Sequence, residues 1–168
     1  MALKLDIRGM VWRYPDYFEV GREELRRYAA SCLNDHPAYF TEQAASEYGY
    51  DSIVAPLTFV SILAKLVQVD FFRHVDMGME KMILVQVDQQ FLYRKTIVAG
   101  TKLWARMQIQ SVDERFGADI VVTKNILTDQ HGDVVLEAFT TLMGQEADPS
   151  ASHLRWDSES GQVVRTAD

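Results

Sequence analysis

The chain has 168 residues, 48% of them hydrophobic and 24% charged, with a formal net charge of −7. This length suits one domain that buries roughly 70% of its unfolded surface. The negative balance argues against nucleic acid or an anionic membrane as partner, and a single cysteine, Cys32, excludes an intrachain disulfide.

No metal-ligand cluster surrounds Cys32, so neither a metal nor another cofactor is expected. The opening "MALKLDIRGM" lacks the apolar core of a signal peptide. The run "PLTFVSILAKLVQVDFF" is interrupted by Ser61, Lys65, Gln68 and Asp70, which makes it too polar for a membrane span. A cytoplasmic protein is expected.

The first predicted element is an amphipathic helix over residues 22–33. Leu25, Tyr28, Ala29, Cys32 and Leu33 fall on one face at i, i+3, i+4, i+7 and i+8. Asn34 can close that helix. Thr41 suits the N-cap of a short helix, "EQAASEY", which Gly49 would end.

A third, longer helix is predicted from Pro56 to about Val75. Proline fits a first helical position, where its missing N–H has no helical partner. The segment is so apolar that it should be buried on most sides. Four strand-like segments follow: "KMILVQVDQQFLYR", "TKLWARMQIQSVDER", "ADIVVTKNILTD" and "DVVLEAFTTLMG". They are separated by the glycine-containing breaks "VAGT", "RFGA" and "DQHGD". Short connections favour an antiparallel meander. The expected fold is α+β: a long central helix wrapped by a curved antiparallel sheet, in one domain spanning 1–145.

Residues 146–168 form a polar tail with five acidic and two basic residues, a net of −3. This tail is expected to be surface-docked or mobile, with Trp156, Val163 and Val164 as candidate docking residues.

A long helix clasped by an antiparallel sheet is the hot-dog arrangement, and the sequence resembles its MaoC-like dehydratase branch. It is more closely similar to the HadA/HadC-type subunits of mycobacterial (3R)-hydroxyacyl-ACP dehydratases, the HadC-like match being the better. The resemblance runs in order through "DIRGM", "WRYPDYF", "DHPA", "VAPLTFVSILAK", "DFFRHVD", "AGTKLWARM", "SVDERFGADIVVT", "TTLMGQ" and "WDSESGQVVRTA". It covers essentially the whole chain. The pieces are weak singly and specific together.

The family's catalytic loop reads Asp-x-Asn-Pro-x-His. Dehydration of a 3-hydroxyacyl thioester takes a proton from C2 and expels hydroxide from C3, so it needs a base and an acid within hydrogen-bond reach. The thioester oxygen gathers charge and needs preplaced N–H donors at a helix start. Laid on Pro37 of "LNDHPAYF", the motif puts Asn34 at the Asp position and Tyr39 at the His position. Asn cannot accept a proton as a carboxylate does, and a phenol with a pKa of about 10 is a poor base near neutrality. Ala55, Pro56 and Leu57 stand where the family has His-Gly-Met.

Asp35 and His36 have the right chemistry but the wrong register. They could form an independent site with Tyr39; the blander reading leaves them as loop or interface residues. His74 suits the helix C-terminus through the dipole, while His131 and His153 read as turn and tail residues.

The resemblance implies a heterodimer. This chain would be its non-catalytic, substrate-binding subunit. A short HadB-like hot-dog subunit would bring the Asp and His, and acyl carrier protein would deliver the substrate. The pathway implied is the elongation of mycolic acids. Ala55, Pro56, Leu57, Phe59, Val60, Ser61, Leu63, Ala64 and Val67 are the candidate substrate-binding residues. Each methylene buried there contributes roughly 0.8 kcal/mol. For the aliphatic and aromatic members, plain core packing is the competing reading, and for Ser61 a bond back to its own helix. The rival functions are a self-sufficient homodimeric hydratase and a non-enzymatic acyl-binding scaffold.

Overall fold

The computed structural model describes residues 6–76, 82–146, 154–157 and 159–165. Strand β1 (Val11–Glu19) leads into helix α1 (Arg22–Ser31), a single 3₁₀ turn (Pro37–Tyr39) and helix α2 (Glu42–Glu47). Helix α3 (Ser61–His74) precedes four long strands: β2 (Met82–Tyr93), β3 (Lys102–Arg115), β4 (Ala118–Thr128) and β5 (Val134–Glu146). The sheet is antiparallel and five-stranded, ordered β1-β3-β4-β5-β2. The expected arrangement of a long helix against a curved antiparallel sheet is borne out.

Alternation along the central strands builds the core. On β4, Val121, Thr123, Asn125 and Leu127 are buried while Ile120, Val122, Lys124 and Ile126 are only partly so. Leu63, Val67 and Phe71 sit four residues apart on α3 and close the other side. Trp12 of β1 packs edge-on against Phe71, with ring centroids 5.9 Å apart, and donates its indole N–H to Asp70 at 2.8 Å.

Strand β1 has no counterpart among the predicted elements. Pro15 interrupts its alternation, and the pairing register slips between Arg13 and Tyr17. Proline costs a strand least at an edge or bulge, and β1 occupies the sheet's edge.

Two expectations about the long helix need correction. Regular α-helix begins at Ser61, not Pro56. Residues 56–60 turn more tightly: Phe59 N–H bonds Pro56 O, Ser61 N–H bonds Thr58 O, and Ile62 N–H bonds Phe59 O. The Leu57 carbonyl instead accepts from the Tyr93 hydroxyl. In an α-helix that carbonyl would receive Ser61 N–H. The helix is also not buried on most sides within this chain. Leu66 is 39% exposed, and Ile62 and Val69 are half-buried.

Strands β6 (Leu154–Asp157) and β7 (Gln162–Arg165) form a separate antiparallel hairpin. The Asp157 carboxylate accepts from Glu159 N–H and Ser160 N–H at the turn. Gly161, at φ +65°, lies so close to α3 that a Cβ would stand 2.5 Å from Val69 Cγ1. Val163 is exposed and Val164 half-buried. The side chain of Trp156, His153 and residues 147–153 lie outside the described part.

Candidate functional site

The loop after α1 is shaped by backbone bonds. Leu33 N–H bonds Ala30 O and Asn34 N–H bonds Ala29 O, which together close the helix as a Schellman motif. The same pair of bonds ends α2, from Gly49 to Ser46 and from Tyr50 to Ala45. Gly49 adopts the required left-handed conformation at φ +82° without a Cβ to strain it. In α1 that position is Leu33, at φ +53° and 92% exposed. Its side chain recovers little burial for the strain. Leu33→Gly is therefore expected to stabilise the isolated chain by about 0.5–1 kcal/mol, the αL relief exceeding glycine's entropy cost. Urea denaturation checks it, and a lower midpoint would refute it.

The Asn34 side chain has a structural task. Its Oδ1 accepts His36 N–H at 3.3 Å. His36 then caps the 3₁₀ turn through Nδ1, which accepts Ala38 N–H at a long 3.4 Å. A neutral His36 ring with Nδ1 as acceptor carries its proton on Nε2. The ring lies 5.5 Å from that of Tyr39 and 5.1 Å from that of Tyr48. Pro37 occupies the first position of the turn, so the loop keeps its bend while its side chains serve the backbone.

This loop borders an open cleft of about 460 Å³. One wall is aromatic, with His36, Tyr39, Tyr48 and Tyr50. Val54, Ala55 and Leu57 contribute an apolar floor, and residues 93–97 the opposite wall. The lining contains no carboxylate. Its two rim cations are already paired. Arg94 bonds Glu137 at 2.8 Å, and Lys95 meets Asp133 at 2.6 Å and Asp129 at 2.9 Å. Those bonds hold the Lys95 ammonium above its ordinary pKa, and the Lys95 bond holds Asp129 below the usual carboxylate range. Burial, followed by repulsion from Tyr28, pushes the Tyr93 phenol up from its usual value. It stays a donor to Leu57 throughout the neutral range.

The helix entry offers little to a developing oxyanion. Ala55 N–H is engaged with Ile97 O at 2.8 Å. Pro56 has no N–H at all. Positions 55 and 56 thus supply no free donor, one because of a sheet contact and one because of covalent structure.

The candidate residues divide into two groups. Ala55 and Leu57 line the cleft beside Tyr39. Pro56 is buried at its back. Phe59, Val60, Leu63, Ala64 and Val67 are in the closed interior, each at most 5% exposed. Ser61 is half-buried at the first turn of α3. Asp35 is exposed and does not border the cleft. His74 sits in the last turn of α3, its Nδ1 2.7 Å from Asp70 O. Tyr48, Tyr50 and the 93–97 wall were not among the candidates. They come from two segments far apart in the chain, and only the fold brings them together.

A family model for the FAS1-like dehydratase domain region matches residues 8–138. The chain belongs to the FAS1-like dehydratase family. It is 69% identical over 167 residues to a UPF0336 protein of Mycolicibacterium paratuberculosis, covering 99% of this chain and 100% of the relative. Among solved structures it is similar to a chain of the C-terminally truncated HadBC (3R-hydroxyacyl-ACP dehydratase) complex from Mycobacterium tuberculosis. That match has a TM-score of 0.79 and 64% identity, over 84% of this chain and 99% of that one. A MaoC-like dehydratase matches at TM-score 0.79 and 31% identity, over 85% of this chain and 43% of that one. The hot-dog, MaoC-like fold expected of the sequence is therefore shown. The loop around Pro37 borders the cleft, with Asn34 and Tyr39 at the positions where the resemblance places the acid–base pair. No described helix is long and apolar enough to cross a membrane, and the described residues contain no cluster fit to hold a metal ion.

Proposed function

We propose that this chain is the non-catalytic, substrate-binding subunit, of HadC type, in a heterodimeric (3R)-hydroxyacyl-ACP dehydratase. The observation that carries this reading is the site itself. Asn34 and Tyr39 replace the acid–base pair, Pro56 removes a donor, and yet the loop and the 460 Å³ cleft persist. A binding surface without its chemistry is what a supporting subunit needs.

The partner is a HadB-like hot-dog subunit that retains Asp and His. Strand β2 offers it a docking edge: it ends the sheet, pairing only with β5 among the described residues. The half-exposed Leu66 side of α3 lies open to the same partner. Acyl carrier protein brings the long 3-hydroxyacyl thioester, and the complex releases the trans-2-enoyl product during mycolic acid elongation in the cytoplasm. Ala55 and Leu57 border the entrance, while Phe59, Val60, Leu63, Ala64 and Val67 lie in the interior and meet an acyl chain only where it enters the core.

The test is hydration of a long trans-2-enoyl thioester by this chain alone, by the HadB-like subunit alone, and by the two coexpressed. The expected order is no activity, weak activity, and at least about tenfold more in the complex. Turnover by this chain alone would support a self-sufficient hydratase instead. No gain on coexpression would leave a scaffold.

A further inference from the structure

The inner face of the sheet carries an amide that its surroundings do not satisfy. Asn125 is 1% exposed, and neither its nitrogen nor its oxygen has a hydrogen-bond partner among the described residues. The buried Nε2 of Gln68, on α3, is in the same condition. Each unmet group has lost its hydrogen bonds to water with nothing in return. Native folds keep such groups when something else pairs with them.

Position says what that partner is. Rows of paired residues cross the inner face of the sheet. Tyr93, Leu136 and Leu127 make one row, and Phe91, Ala138 and Asn125 the next. Gln89, Thr140 and Thr123 make the third. Tyr93 borders the cleft, so Asn125 lies one row inward, about 7 Å along the strands. Beyond it, Thr123, Phe72 and Met107 border a closed apolar void of about 10 Å³. Asn125 is paired across the ladder with Met107 itself.

Helix α3 runs in the same direction. The segment that enters it, with Ala55 and Leu57, borders the cleft, and Phe71 and Phe72 border the void. Gln68 is one helical turn before Phe72, on the same face of α3. Thr140 and its neighbours are already bonded, accepting from Gln89 at 3.4 Å and from Thr123 at 3.5 Å. The unmet amides therefore stand midway between an open cleft and a closed void, with apolar surface on either side. Met82 and Met107 at the void are unbranched and can yield to an entering chain.

We propose that Asn125 and Gln68 form a polar subsite for an oxygen substituent, a hydroxyl, carbonyl or ether, on an acyl chain threaded from the cleft towards the void. An amide both donates and accepts, so it can pair with any of these groups. The proposal rests on the substrate-binding role and adds a chain-reading residue to it. An ordered water would offer the same oxygen chemistry, and the experiment separates the two sources.

The complex is assayed with wild-type chain and with Asn125→Leu, on two long trans-2-enoyl thioesters of equal length, one plain and one with a mid-chain ketone. The expected result is a fall of at least about tenfold in kcat/KM for the keto substrate relative to the plain one, with plain turnover kept or raised. Equal effects on both substrates, or none, overturn the proposal and leave a resident water only. Gln68→Leu should show the same selective loss, and thermal melting identifies a variant that has not folded. Binding of both thioesters to this chain alone, followed by tryptophan fluorescence, makes the same comparison without turnover. A failure of the subunit role is thereby distinguished from a failure of the subsite.

Discussion

Restoring the two side chains, as Asn34→Asp with Tyr39→His, is expected to leave the purified chain without detectable hydration of a trans-2-enoyl thioester. An acid–base group contributes typically 10²–10⁴-fold, and the double variant supplies both. Charge developing on the thioester oxygen would still find no donor at positions 55 and 56, because Ala55 N–H is bonded to Ile97 O and Pro56 has none. One missing donor of this kind costs about 10²–10³-fold. An Asp at position 34 can still accept His36 N–H, as Asn34 Oδ1 does at 3.3 Å, so the bend of the loop is not the obstacle. Adding Pro56→Gly to the pair is expected to raise turnover by at least about tenfold over the double variant, because it returns one backbone N–H to the entry of α3. Clear turnover by the double variant alone would show that the proline is no obstacle.

The largest effect on stability is expected from Phe71→Ala, a loss of about 3–5 kcal/mol. Phe71 is 1% exposed, packs edge-on against Trp12 and borders the one void at that end of the core described above. Removing the ring enlarges a space that its neighbours do not fill, and it also loosens the tie between α3 and the β1 edge. Urea denaturation read by fluorescence and circular dichroism measures it. A change below about 1 kcal/mol would mean that α3 closes onto the sheet without strain. The half-buried Phe72 beside it should tolerate the same substitution better.

What the sequence disclosed follows from how local each signal is. The four long strands were legible because their alternation and glycine turns lie within a few residues; Phe116 and Gly117, both at positive φ, form the turn expected in "RFGA". Thr41 capped α2 as expected, accepting Ala44 N–H at 3.2 Å. Strand β1 was hidden because Pro15 breaks the pattern that reveals a strand, and only pairing with β3 restores it. The start of α3 was misplaced: residues 56–60 turn more tightly than an α-helix, and the Leu57 carbonyl is bonded to Tyr93, 36 residues away in the chain. No local propensity encodes that bond. The degenerate loop was legible from its register on Pro37, whereas the tyrosine cleft it borders was not, since Tyr39, Tyr50 and Tyr93 meet only in three dimensions.

Strand β2 has a consequence for the cell that makes this protein. Its twelve residues contain no proline, and Ile83, Val85 and Val87 are 49%, 47% and 53% exposed. An exposed apolar stretch on an edge strand is a template for unwanted pairing, and here Asp88 and the register shift between Gln86 and Asp88 limit it to the first half of β2. Copies synthesised in excess of whatever covers β2 would find one another first. Under the proposed pairing, matched expression of the two subunits, and folding of one in the presence of the other, becomes a requirement written into a single strand.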